Sequence, residues 1–243
     1  MKLNLIPVAT AALFSGSAVF AGGYVAPIVA PAVLPVEVIE PLTWQGGYAG
    51  VTLGYAFSGD DEVGIGQGNE RTYTTPNELE LSGANYGLRL GYRWQRAGGS
   101  RDWVFGGELG YEGGDISDDF TTDGYSAENE VNSVLALRLK AGPLNNVKNT
   151  WFYGILGIGR IDYDYTVYGT EGVAGAVDIN EGQTSTGYIV GLGVERKFNT
   201  NWSLSGEWEY HNYGKDHLED VNGKSTEATP DWHTIKIGLN YQF

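Results

Sequence analysis

The chain has no cysteine among its 243 residues. No disulfide framework and no acylated cysteine anchor are therefore expected. Long apolar runs are missing too. Beyond residue 21 no stretch approaches the roughly 18 apolar residues that a membrane-crossing helix needs, which excludes a helical membrane protein. Basic residues are scarce, with 15 Lys and Arg against 30 Asp and Glu and a formal net charge of -15. Nucleic acid is not an expected partner, because counterion-release binding needs clustered Lys and Arg. What the chain does have is glycine, 37 of them, and 16 tyrosines. Its mean hydropathy of -0.24 suits a soluble protein. It suits a membrane barrel equally, since such strands show only every second residue to lipid.

The amino terminus carries the marks of an export signal over 1–21. Lys2 precedes an apolar stretch from Leu3 to Phe14, and small residues follow, with cleavage expected between Ala21 and Gly22. Residues 22–46 are rich in Pro, Ala and Val, with Pro27, Pro31, Pro35 and Pro41 nearly evenly spaced. Proline removes donors and favours extended chain, so this segment reads as a periplasmic tail.

From Gly47 the pattern becomes a period-two alternation, the mark of strands with unlike faces. Eight strands are expected, over 47–57, 81–94, 103–112, 131–142, 151–165, 186–198, 202–213 and 232–243. The fifth has apolar residues on both faces. The connections 58–80, 113–130, 166–185 and 214–231 are long and acidic, whereas 95–102, 143–150 and 199–201 are short. Such alternation of lengths fits an up-and-down antiparallel barrel with periplasmic turns and external loops, the barrel filling 47–243. Aromatics gather at strand ends: Trp94, Trp103, Trp151, Phe198 and Trp202 beside the turns, and Tyr55, Phe57, Tyr86, Tyr111, Tyr163, Tyr188, Tyr210 and Trp232 opposite. Two headgroup-level girdles are expected from them. The reading is thus all-β, an eight-stranded transmembrane barrel in the outer membrane, with outer-membrane lipids and lipopolysaccharide as its surroundings.

Trp44-Gln45-Gly46-Gly47-Tyr48-Ala49-Gly50, followed by Leu53-Gly54-Tyr55, resembles the opening segment of the porin-family surface proteins related to the OmpA barrel. Gly187-Tyr188, Gly191-Leu192-Gly193-Val194-Glu195 and Glu207-Trp208-Glu209-Tyr210 are similar to that family's sixth and seventh strands. The alternating Ile237, Leu239, Tyr241 and Phe243 resemble the terminal signal such proteins present to the barrel assembly machinery. The peptidoglycan-binding domain of full-length OmpA proteins has no counterpart here.

Candidate functional residues lie on the inward faces. Arg89, Arg93, Arg138, Lys140, Arg160, Lys197 and Lys236 are set against Glu108, Glu112, Asp162, Asp164, Glu195, Glu207 and Glu209. An eight-stranded interior is just wide enough for side chains, and buried charges persist only when paired, so a salt-bridged plug is expected. Arg89 and Glu108 fall at similar heights, as do Glu209 and Lys236. The alternative is a narrow diffusion channel. A barrel enzyme acting on lipid or peptide is a further alternative, resting on His211, His217 and His233 near Asp216, Asp220 and Asp231. Tyr213 stands where a deacylase-like site would need serine. No catalytic, metal or cofactor residues are assigned, and the function expected is structural or surface-interactive.

Overall fold

The computed structural model describes residues 42–67, 74–170 and 174–243. The export signal, its Ala21–Gly22 cleavage point and the proline-rich residues up to 41 lie outside them. Twelve strands follow in order: β1 (Gly46–Phe57), β2 (Asp61–Gln67), β3 (Thr74–Leu79), β4 (Gly83–Arg96), β5 (Trp103–Thr122), β6 (Tyr125–Pro143), β7 (Thr150–Gly169), β8 (Val177–Lys197), β9 (Trp202–Asn212), β10 (Asp216–Glu219), β11 (Lys224–Ala228) and β12 (Asp231–Gln242). Eight of them close a barrel in the order β1-β12-β9-β8-β7-β6-β5-β4, every pair antiparallel. Closure leaves no unpaired strand edge, which is the condition for crossing hydrocarbon with strands.

The alternation in sequence becomes an alternation in space. On β6, Leu135, Leu137 and Leu139 face outward and are exposed, while Ala136, Arg138 and Lys140 are buried in the lumen. The same outward belt carries Leu53, Leu88, Leu90, Leu109, Leu156, Ile158, Leu192 and Ile237. An apolar surface that wraps the whole barrel requires lipid around it. Trp94, Trp103, Phe198 and Trp202 rim the belt at the short-turn end, and Tyr55, Tyr86, Tyr111 and Tyr188 rim it at the other.

Three residues expected in those rims are not there. Trp151, Tyr163 and Trp232 occupy inward positions and are almost fully buried. The reason is parity: each sits one residue out of step with its strand's lipid face.

The four connections expected as loops are largely strand. β5 and β6 run on past the belt to meet at Asp123–Gly124, whose φ values of 55° and 83° make the two-residue turn that tight hairpins favour. β7 and β8 extend likewise to Gly169 and Val177. Above the belt the alternation persists but its chemistry inverts. Outward positions become Asp115, Asp119, Glu128, Glu130, Asp162 and Asp164, whereas inward ones become Ile116, Phe120, Val131, Ile161, Val167 and Ile179. Water lies outside at this height, so the apolar residues turn inward.

The connections between β1 and β4 and between β9 and β12 supply a second sheet, ordered β10-β11-β2-β3. Its Val63, Ile65, Leu79, Leu218 and Ala228 join the same apolar core as the extended β5–β8 strands. Asp61, fully buried, pins this sheet. It accepts bonds from Thr229 N at 2.7 Å, Thr229 Oγ1 at 2.9 Å and Asn129 Nδ2 at 3.3 Å. Burial pushes its carboxyl above the usual range, and these bonds pull the other way.

Leu137→Arg should destabilise the barrel by about 2–4 kcal/mol in lipid vesicles, the cost of a cation facing the bilayer midplane. Glu130→Arg, outward on the same strand but above the belt and opposite Asp164, should stay within about 0.5 kcal/mol of the parent or gain stability. Urea unfolding of both variants checks the facing and the height of the belt together.

Candidate functional site

Buried side chains occupy the lumen in layers along the belt. At the short-turn mouth, Thr43, Trp44 and Gln45 lie across the opening, although the sequence had placed them with the preceding tail. The Trp44 ring is fully buried, 5.9 Å from Trp151. Its backbone N–H donates to Gln95 Oε1 (2.9 Å) and its indole N–H to the Lys148 carbonyl (2.8 Å). The Thr43 and Gln45 carbonyls accept from Lys197 Nζ (2.7 Å) and Gln242 Nε2 (2.9 Å). Lys197 thus caps backbone carbonyls, here and at Thr200, rather than pairing with a lumenal acid.

Above Trp44, Arg93 reaches across the barrel to Glu195 at 2.8 Å. β4 and β8 stand four places apart in the ring of eight, so this pair spans the full diameter. Ser203 Oγ and Asn240 Nδ2 also donate to Glu195. The Arg93 guanidinium lies 3.7 Å over the Tyr48 ring, with Trp44 and Trp151 at 5.4 and 5.6 Å. Its Nε and Nη1 find no acceptor among the described residues, and the guanidinium is covered by these π-systems instead.

The middle layer joins Arg89, Lys140, Glu108 and Glu207. Glu207 takes Arg89 and Lys140 at 2.9 Å each, and Lys140 also binds Glu108 at 2.7 Å. Tyr48 and Tyr153 donate their hydroxyls to Glu108 and Glu207, both at 2.6 Å. Ser205 and Asn240 complete the Arg89 guanidinium. The Arg89–Glu108 pairing suggested by equal height is secondary, at 3.7 Å. Arg89 on β4 instead reaches past the wall to Glu207 on β9, and Glu108 is taken by Lys140 on the neighbouring β6.

The upper layer holds Arg138 between Glu112 (2.6 Å) and Glu209 (3.0 Å), with Lys236 bridging the same two acids at 3.0 and 2.5 Å. His211 closes it. Its Nε2 is 3.1 Å from Glu209 and its Nδ1 3.1 Å from the Tyr213 hydroxyl, and Trp232 stacks on its ring. Beyond Trp232 the apolar core begins. Two glycines make this packing possible. A Cβ on Gly238 would lie 1.8 Å from Arg89 Nη2, and one on Gly110 2.5 Å from Arg138 Nη1.

Arg89, Arg93, Arg138, Lys140 and Lys236 therefore meet Glu108, Glu112, Glu195, Glu207 and Glu209, five charges of each sign, none more than 5% exposed. Arg160, Asp162 and Asp164 are absent from this set. On β7 the inward parity belongs to Trp151, Tyr153, Ile155, Ile161 and Tyr163, so the three charged residues project outward above the belt. Tyr48, Tyr153, Ser203, Ser205 and Asn240 were not singled out by sequence, although their inward parity was readable there.

The histidines do not assemble. His211 is buried in the lumen. His217 is half exposed beside Glu219, and His233 lies outside among Phe57, Trp208 and Tyr210. Asp216 and Asp231 accept tyrosine hydroxyls from Tyr163 and Tyr210, and Asp220 accepts backbone N–H groups of the β10–β11 turn. Ile237, Leu239, Tyr241 and Phe243 line the outward face at and after β12.

A family model described as the outer membrane protein beta-barrel domain matches residues 28–243. The chain is 28% identical to a 31 kDa outer-membrane immunogenic protein of Brucella melitensis, covering 99% of each chain. It is 26% identical to a 25 kDa outer-membrane immunogenic protein of Brucella abortus, over 88% of this chain and 85% of the relative. Among solved structures it is similar to the outer membrane protein OprG of Pseudomonas aeruginosa, at 15% identity and a TM-score of 0.49, over 82% of this chain and 96% of that one.

Glu207→Ala should cost about 3–5 kcal/mol, because it leaves Arg89 and Lys140 short of a counter-charge in a buried setting. Adding Arg89→Ala should then cost less than its effect alone, with a coupling of about 1–3 kcal/mol. That coupling should exceed the one between Arg89 and Glu108. Simple additivity in vesicle unfolding experiments would mean that these charges are hydrated and unpaired.

Proposed function

We propose, because the chain belongs to the outer membrane protein β-barrel family and resides in the outer membrane, that it is a closed surface protein and not a pore. One observation carries this reading: five buried charges of each sign pair inside the lumen, between Trp44 at one mouth and an apolar core at the other. An ion entering that lumen would have to break pairs whose members cannot be rehydrated. The role that follows is to stabilise the envelope and to present the β-structured module outside the belt.

The acidic outer face of that module supports a surface-interaction role among lipopolysaccharide and its bridging cations. The Brucella relatives are named as immunogenic, which agrees with a face exposed to recognition. Catalysis has no place in this reading: His211 is engaged by Glu209 and Tyr213 inside the sealed lumen. Recognition by the barrel assembly machinery is assigned to β12, whose Ile237, Leu239 and Tyr241 alternate outward.

Planar-bilayer recording of the purified barrel tests the reading. The parent should give no steady unitary current, and Trp44→Ala should stay silent because the charge layers remain behind it. A steady current through the parent would replace the closed barrel with a narrow diffusion channel.

A further inference from the structure

The outer wall is not uniform. At the short-turn end of the belt a groove of about 410 Å³ opens toward the lipid, with Trp103, Pro143, Phe152 and Leu192 as walls and Ala141 and Gly154 as floor. Ala141 and Gly154 are register partners on β6 and β7, and Leu192 is the partner of Gly154 on β8. The floor is therefore two neighbouring positions with almost no side chain. A Cβ on Gly154 would meet nothing within 4 Å. One wall is stiffened by Trp103 stacking on Phe105, with centroids 6.2 Å apart. The groove is apolar and faces hydrocarbon.

Its flanks are charged in one sense. Arg196 follows Leu192 and Val194 on the outward face of β8 and is the register partner of Thr150, one outward step beyond Phe152. Arg96 is the register partner of Trp103 on the other side. Arg101 stands in the intervening turn region. All three are exposed, and none makes an ion pair among the described residues. Asp102, an acid of the neighbouring turn, is taken by Lys148 at 2.8 Å. The outward carboxylates Asp115, Asp119, Glu128, Glu130, Asp162 and Asp164 all stand at the far end, above the belt. An apolar slot with unneutralised arginines on its neighbouring strands and turn complements a molecule with an acyl chain and an anionic head.

We infer that this groove is a binding site for one anionic phospholipid of the periplasmic leaflet, the acyl chain lying on Ala141 and Gly154 and the phosphate held at Arg196. Arginine suits the phosphate because its planar fork donates two hydrogen bonds at once. The aromatic walls fix the glycerol region at the interface, where rings with a polar edge are favoured. This inference does not depend on whether the lumen conducts.

Native mass spectrometry of the detergent-purified barrel, titrated with phosphatidylglycerol, reads the site directly. The parent should retain one lipid, and Gly154→Leu, which fills the floor, should lower the apparent affinity about tenfold. Arg196→Gln should lower it by a similar factor for phosphatidylglycerol and much less for phosphatidylcholine. Leu53→Ala, on β1 across the barrel, should leave retention unchanged. Heat-modifiable gel mobility confirms that each variant is folded. Equal retention by parent, Gly154→Leu and Arg196→Gln would overturn the site. So would a dimer that dissociates on Gly154→Leu, since the groove would then be covered by a second copy of this chain.

Discussion

Everything inside this barrel follows from the width of its lumen. Eight strands leave room for side chains and little else, so a charge placed inward cannot rely on water and must find its opposite. The chain meets that condition partly between neighbouring strands, as with Lys140 and Glu108, and partly by reaching across. Arg93 on β4 meets Glu195 on β8, Arg89 on β4 meets Glu207 on β9, and Arg138 on β6 meets Glu209 on β9. Such pairs join strands that share no backbone hydrogen bonds. They brace the wall from within, while the ladder holds it along its circumference. Replacing one member leaves an orphan in a place where hydration is denied, which makes the network cooperative.

The boundary of the bilayer is written into the strands as an exchange of faces. Within the belt the apolar residues look outward and the charges inward, and above it the two trade places along the same strands. β6 shows this in one chain: Leu137 outward beside lumenal Arg138, then Glu130 outward beside buried Val131. Only the solvent outside has changed, from hydrocarbon to water. The strands can therefore leave the membrane without ending, and β2, β3, β10 and β11 add the second layer that an apolar core in water requires.

The two mouths are lined by different chemistry. At the hairpin end, His211, Tyr213 and Trp232 hand the charged lumen over to the apolar core, one polar edge at a time. At the turn end, four strands or their turns hold Trp44 by hydrogen bonds to its backbone, its indole and its neighbours. Those partners come from β4, β8, β12 and the β6–β7 turn, so the strap depends on the closed ring.

The number of barrel strands, the alternation of short and long connections, and the inward parity of Arg89, Glu108, Arg138 and Glu207 were all legible in the sequence. Each is a local property, since parity along a strand and the composition of a connection need no knowledge of distant residues. The facing of β7 was not legible, because Phe152, Leu156 and Ile158 share their parity with Arg160, Asp162 and Asp164. The same face serves lipid below and water above, and only the height of the belt separates the two. Nor could the sequence say that Arg89 would choose Glu207 over Glu108, or that Trp44 would turn back into the mouth. Those contacts join residues brought together by closing the ring, and closure is a property of all eight strands at once.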